Sequence, residues 1–364
     1  MSFFKKMSRT SKDNLLTYAL VIVAFFVVQG LISTRAISHS LTGMMVPICT
    51  YIIMAVSLNL VVGISGELSL GHAGFMSIGA FCGVVVMAAL SGAVASPLIR
   101  LIIAIIVAGM LAALTGVLIG IPVMRLHGDY LAIVTLAFGE IIKNVLNNLY
   151  VGMDKTGLHF SMQSAKALGM EGGTILINGP QGAAGITKAS TFVMGFLLVL
   201  FCLMVVLNLK NSRSGRAIMS VRDNRIAAES VGINVTKYRL MAFVVSAALA
   251  GMAGALYAMN FSSIVPKKFD FNLSIMILVF VVLGGMGKIR GSIIAATLLT
   301  VLPEALRSLS DYRLLLYAVV LIATMLIGNN ESLKNWFYQL RDRLLHKNED
   351  EVLASTLEGG DLRG

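Results

Sequence analysis

The sequence predicts an all-α, polytopic integral membrane protein with about ten transmembrane helices in a single domain. Three observations predict it. Hydrophobic residues fill 57% of the 364 positions, and mean hydropathy is +0.85. Charged residues make up 13% of the chain, about half the share of an ordinary soluble domain. The apolar residues also come in blocks of about 18 or more with few charges, the length a helix needs to cross a bilayer.

The elements follow in order. Residues 1–14 read as a basic cytoplasmic arm carrying Lys5, Lys6, Arg9 and Lys12. The apolar run from Leu15 to Ile32 is longer than a signal-peptide core and no clear small-x-small site follows it, so it reads as a retained first span. Residues 15–328 form the transmembrane domain, with spans at 15–33, 42–62, 72–91, 98–121, 129–149, 190–209, 240–259, 272–287, 291–309 and 312–328. The 272–287 and 291–309 pair is short and shares a tight polar turn, so two spans and a re-entrant hairpin both fit. Residues 329–364 read as a polar cytoplasmic tail.

Lys and Arg in short loops set orientation. Ten spans counted from a cytoplasmic N-terminus place Arg125–His127, the 210–239 loop, Lys288–Arg290 and the C-terminus inside. These are the basic connections; Lys267 and Lys268 are the exception outside. The 150–189 connection, rich in Gly and polar residues, becomes an outer loop whose order the sequence does not fix.

The net charge of +11 therefore belongs to loops beside membrane lipid. No nucleic-acid motif accompanies it, so no nucleic-acid partner is expected. Cys49, Cys82 and Cys202 are odd in number, far apart and set in apolar stretches, which argues against a disulfide framework and against a metal site. There is no Walker-type phosphate loop, nucleophile elbow or metalloprotease pair. The chain is expected to have no catalytic residues and not to hydrolyse ATP itself.

Two stretches are unlike plain spans. One is "VGISGELSLGHAGF", 62–75, and the other is "LGGMGKIRGS", 283–292. Glycine costs a helix about 1 kcal/mol against alanine, yet it permits turns and close backbone contacts. Non-helical backbone at membrane depth survives only where protein or a water-filled cavity covers it. Interrupted apolar segments in both halves of a chain point to a translocation path. Gly63, Gly66, Glu67, Ser69, His72, Gly284, Gly285 and Gly287 are the candidate pathway or gate residues. Glu67 has a second reading, in which it sits near the inner surface and reaches water or a neighbouring donor. His72 has no second ligand at helical spacing, so it is not read as a metal ligand. Glu140 with Lys143, and Glu304 with Arg307, have i, i+3 spacing and read as self-neutralising pairs. Asp129 reads as the cap of the helix it precedes.

A third stretch, "SVRDNRIAAESVGIN" at 220–234, is a charged interruption between apolar runs. On one helix over 216–231, Arg222, Arg225 and Glu229 share a face and Ala217, Val221, Ala228 and Val231 fall broadly opposite. Arg225 and Glu229 form an i, i+4 pair, and Gly232 stands where a C-terminal cap belongs. A solvated loop, an interfacial helix on anionic lipid and a helix docked in a soluble partner's groove all fit that pattern.

Four longer stretches together resemble one family. They are "NLVVGISGELSLGHAGFMSIGAF" (59–81), "RLHGDYLAIVTLAFGEIIKNVLNN" (125–148), "SRSGRAIMSVRDNRIAAESVGINVTKYRLMAFVVSAALAGMAGALYA" (212–258) and "VFVVLGGMGKIRGSIIAATLL" (279–299). In this order they resemble the branched-chain amino-acid permease family of ABC importers (LivM-like), over roughly 40–328. The resemblance implies a type II, vitamin-B12-importer-like permease fold in a bacterial inner membrane. It implies a homologous permease subunit as heterodimer partner, two ATPase subunits that bind ATP and Mg, and an external solute-binding protein. It implies leucine, isoleucine and valine as cargo, with urea or short amides as the alternative in the same class. An ion-coupled secondary transporter is the alternative from another class, resting on Glu67, Glu140 and Glu304. The 210–239 loop becomes an EAA-like coupling loop. Arg222, Asp223 and Arg225 would make polar contacts with the ATPase, Ala227, Ala228 and Ile233 would pack in its groove, and Gly232 would shape the exit turn.

The chain departs from the family pattern twice. About 28 extra residues precede "NGPQGAAGI" at 178–186, and the last span ends in "MLIGNNES" in place of an Arg-Pro-x-Gly ending.

Overall fold

The structure is a computed structural model that describes residues 9–34, 39–126, 129–154, 157–170 and 172–305, with 319 and 322. The expected span 312–328, the tail 329–364, residues 1–8 of the basic arm, and Arg307 of the Glu304 pair lie outside the described residues. Helices cover the described part of every other expected span, and 306–309 of the 291–309 span lie outside the described residues. They are α1 (Arg9–Ser33), α2 (His39–Asn59), α3 (His72–Ala89), α4 (Pro97–Val123) and α5 (Asp129–Asn147). Then come α6 (Phe192–Asn211), the short α7 (Arg213–Asp223) and α8 (Arg225–Ser230), α9 (Val235–Ala258), α10 (Phe271–Gly284) and α11 (Ile289–Ala305). Among the described residues, α1 to α6 and α9 make seven helices long and apolar enough to cross a membrane. α10 has 14 residues and rises about 21 Å, short of a full crossing.

The helices pack on α9, which runs against α4, α3 and α2. Its contact side is small: Ala247, Ala250, Gly251, Ala253, Gly254 and Ala255 are all buried. In lipid, apolar side chains gain little by leaving one apolar medium for another, so helices associate by close backbone packing. A Cβ on Gly79 of α3 would stand 1.9 Å from the Gly251 carbonyl oxygen, and one on Gly254 would stand 1.9 Å from the Met76 carbonyl oxygen. Glycine at these positions lets two helix backbones touch. α4 turns an opposite, exposed stripe outward through Leu98, Ile102, Ile106, Met110, Leu114 and Leu118, as expected of a lipid-facing surface.

The all-α expectation fails in the 150–189 connection. Strands β1 (Tyr150–Asp154), β2 (Gly157–Ser161) and β3 (Thr174–Asn178) form an antiparallel sheet in the order β2-β1-β3. Val151 faces Phe160 on one side and Ile177 on the other, with a register shift between Val151 and Gly152. β4 (Ala183–Ala184) pairs with β5 (Ser263–Ile264) and ties this connection to the α9–α10 loop. The cause is visible in "YVGMD", "GLHFS" and "TILIN": short segments with apolar and β-branched residues, too short to register in a search for long apolar blocks.

The Gly254–Met76 contact gives a stability prediction. Gly254→Leu must push α3 from α9 and should destabilise the detergent-solubilised protein by about 3 kcal/mol. Gly92→Leu, where a side chain meets nothing within 4 Å, should leave the melting temperature within a degree or two (on the order of the error for a neutral surface change). Thermal unfolding of the two variants side by side checks this.

Candidate functional site

The first break is built at the end of α2. The helix widens into a π-helical segment, Leu60–Ser65, and stops at Gly66, whose φ is +78°. The N–H groups of Gly66 and Glu67 both turn back to the Val61 carbonyl oxygen. The Glu67 N–H, which a continuing α-helix would give to Gly63, is therefore spent elsewhere. The chain then runs without helix to Gly71, pinned by the Leu70 N–H donating to Thr135 Oγ1 of α5 at 3.0 Å.

The second break lies between α10 and α11. Gly285 and Gly287 have φ of +87° and +79°, values that exclude most side chains. The Gly287 N–H donates to Asn59 Oδ1 at 2.8 Å, and Asn59 Nδ2 donates to Ser292 Oγ at 2.8 Å. A Cβ on Gly63 would stand 2.1 Å from the Gly287 nitrogen, and one on Gly291 would stand 1.7 Å from the Gly284 carbonyl oxygen. The two breaks, far apart in sequence, are thus one contact, and Asn59 is its clasp.

The charged loop meets the same place. Residues 216–231 are not one helix: α7 stops at Asp223, and Asn224 is extended with φ −154° and ψ 105°. Asn224 Oδ1 accepts from the Ala227 N–H at 3.0 Å and so caps α8. Asparagine favours this role over a helix interior because its side chain competes for backbone partners. The single charged face is therefore broken. Arg222 Nη1 donates to the Gly63 carbonyl oxygen at 2.9 Å, while its Nε and Nη2 donate to Asp223 Oδ1 at 2.9 and 2.7 Å. Arg225 pairs with Glu229 at 3.1 Å. Gly232 has φ +85° and open space around it, as its capping role requires.

The apolar side of the loop also differs from the sequence expectation. Ala228 is buried with Val221 and Val235, and Ile233 packs against them. Ala228 thus fills the chain's own core and is not open to a partner's groove, while Ile233 is partly exposed. The exposed apolar residues are Ile226, Ala227 and Val231, with Ile226 80% and Val231 73% exposed. A helical wheel that carries one helix through Asn224 puts Val231 on the face of Val221 and Ala228, which are buried where Val231 is not.

The remaining candidates separate. Glu67 is buried, and its carboxylate lies 2.7 Å from Arg239 Nε of α9, close in distance though not aligned as a linear hydrogen bond. The Arg239 guanidinium thus stands as the counter-charge of Glu67. Ser69 is buried and its Oγ finds no partner among the described residues. His72 does not reach the junction: its Nε2 lies 3.0 Å from Ser57 Oγ and 3.3 Å from Ser246 Oγ in the α2–α3–α9 core. Gly284 is a packing contact for α11. Glu140 and Lys143 do pair. No metal-sized group of acidic, His or Cys side chains occurs among the described residues. Sequence reasoning missed Asn59, Lys210 and Arg239. Lys210 Nζ reaches the Gly287 carbonyl oxygen at 3.4 Å. Asn59, polar at the end of an apolar run, was the available signal.

Residues 40–327 match the family described as branched-chain amino acid transport system / permease component. The chain is 34% identical over 333 residues to the high-affinity branched-chain amino acid transport system permease protein LivM of Salmonella typhimurium, covering 87% of this chain and 74% of that one. It is 33% identical over 331 residues to LivM of Escherichia coli, with the same shares covered. It is also 26% identical over 292 residues to the ribose import permease protein RbsC of Escherichia coli, covering 77% of this chain and 82% of the relative. No solved structure matches the chain.

The clasp can be tested alone. Asn59→Ala leaves the Gly287 N–H and Ser292 Oγ without their partner, and each such loss costs about 1–3 kcal/mol. The variant should melt earlier and exchange the Gly287 amide faster. Asn148→Ala, which removes only an exposed bond to the Asn144 carbonyl, should do neither.

Proposed function

The chain belongs to the branched-chain amino acid transport system permease family, is a multi-pass membrane transport component and not an enzyme, and from this premise we propose its role. It is the permease subunit of an ATP-driven ABC importer in a bacterial inner membrane, with the type II fold and both termini cytoplasmic. It forms a heterodimer with a homologous permease subunit. Two ATPase subunits bind ATP and Mg and drive it, and an external solute-binding protein delivers leucine, isoleucine or valine. The relatives' names and the 40–327 family match support the cargo class.

The observation that carries the coupling role is α8. It is a short helix fixed at both ends, by Asn224 as its cap and Gly232 as its exit, with Ile226 and Val231 exposed among charges. Burying two such side chains in a partner's groove contributes about 3 kcal/mol or more. Arg225, Glu229 and Asp223, all outside the core, supply polar contacts at the rim. The proposed docking set is therefore Asp223, Arg225, Ile226, Ala227, Val231 and Gly232. Ala228 is buried, Ile233 packs against it, and Arg222, though exposed, is bonded to the Gly63 carbonyl and Asp223.

The test is co-purification of the chain with co-expressed ATPase subunits, followed by uptake of labelled leucine, urea and ribose into proteoliposomes. Ile226→Asp and Gly232→Trp should each reduce recovered ATPase at least tenfold, about 1.4 kcal/mol, and leucine should be the cargo taken up. Unchanged recovery and uptake in both variants would make the docking assignment wrong.

A further inference from the structure

The Gly63 carbonyl is at the end of a broken span. Its own helix gives it no N–H from Glu67, because that group turns back to Val61. The carbonyl end of a helix carries partial negative charge and favours a cation, and away from water an unsatisfied carbonyl is costly. Arg222 answers both needs from a different part of the chain. Asp223 holds the other edge of the guanidinium, and Gly66 leaves it room: a Cβ there would lie 2.5 Å from Arg222 Cγ. On the far side of α8, Arg239 in the first turns of α9 faces Glu67. The charged loop therefore grips the first break twice, before and after α8, at residues four apart.

The first break in turn grips the second. Asn59 bonds Gly287 and Ser292 across it, and Gly63 and Gly287 touch by backbone. The turn positions Gly66, Gly285 and Gly287 are all at positive φ. The links therefore join one glycine turn to the other.

We propose that Arg222 and Arg239 are positioning residues, struts through which displacement of α8 moves both glycine breaks as one body, with Asn59 passing the motion from the first break to the second. This rests on the reading of α8 as the ATPase-docking helix. It differs in assigning Arg222 to transmission inside the permease and not to the docking surface.

The experiment uses the whole transporter in proteoliposomes with its binding protein. Arg222→Met and Arg222→Lys are compared with Ile226→Asp, and Glu67→Gln, which breaks the other strut, serves if Arg222→Met does not accumulate. Three readouts are taken: ATPase subunits recovered, ATP hydrolysed, and leucine carried per ATP. Arg222→Met should retain its ATPase subunits and hydrolyse ATP, yet carry at least tenfold less leucine per ATP. Glu67→Gln should act in the same direction, and Arg222→Lys, which keeps a cationic donor, should recover much of the ratio. A native ratio in Arg222→Met overturns the proposal. So does loss of ATPase subunits in Arg222→Met to the extent seen in Ile226→Asp, since Arg222 would then be a docking contact.

Failure of the native chain to recover any ATPase would refute the docking reading instead. The struts are then judged by amide exchange in the isolated chain. Arg222→Met should raise exchange at 63–70 and at 285–291 together, and a rise confined to the first stretch overturns the single-body proposal.

Discussion

A break in a membrane helix frees backbone groups where water is absent, and those groups must find partners inside the protein. Much of this architecture follows from that constraint at Gly63. The π-helical turn and Gly66 redirect two N–H groups to Val61, leaving the Gly63 carbonyl to Arg222. A second break placed against the first lets Asn59 satisfy Gly287 and Ser292 at once. The charged loop, the two glycine stretches and the clasp are thereby parts of one polar junction.

The junction explains why glycine and asparagine recur where helix propensity would choose others. Gly63 and Gly287 let backbones meet; Gly66 admits the stem of Arg222. Asn224 ends α7 after Arg222 and starts α8 in a new direction. The same residue thus lets Arg222 reach the Gly63 carbonyl while Ile226 faces outward. Around the junction, the bundle is held by small residues of α9 against α3 and α4, a packing that needs no polar groups.

Much of the helical framework was legible in the sequence, because apolar block length is a strong and local signal. The two breaks were legible as places, from their glycines, and the Gly232 exit and the Arg225–Glu229 pair were legible from helical spacing. Their meeting was not, since nothing in either glycine stretch names the other. Asn59 carries no charge and sits at the end of an apolar run, so its role as a clasp shows only in its bonds to Gly287 and Ser292. The bond from Arg222 to the Gly63 carbonyl is not legible either, because a helical wheel run through Asn224 only groups Arg222 with Arg225 and Glu229. The sheet of 150–178 was missed for a different reason: its strands are five residues long and alternate irregularly at the Val151–Gly152 shift.

The central claim is that the two breaks and the charged loop act as one unit, and a double-mutant cycle tests it most directly. Arg222 holds the Gly63 carbonyl, while Asn59 lies where a Gly63 side chain would be. Arg222→Met, Asn59→Ala and the double variant would be compared by leucine carried per ATP. One unit predicts that the double variant loses little more than the worse single variant, a coupling of about 1 kcal/mol or more. Losses that add to within about 0.5 kcal/mol, as independent sites do, would contradict it.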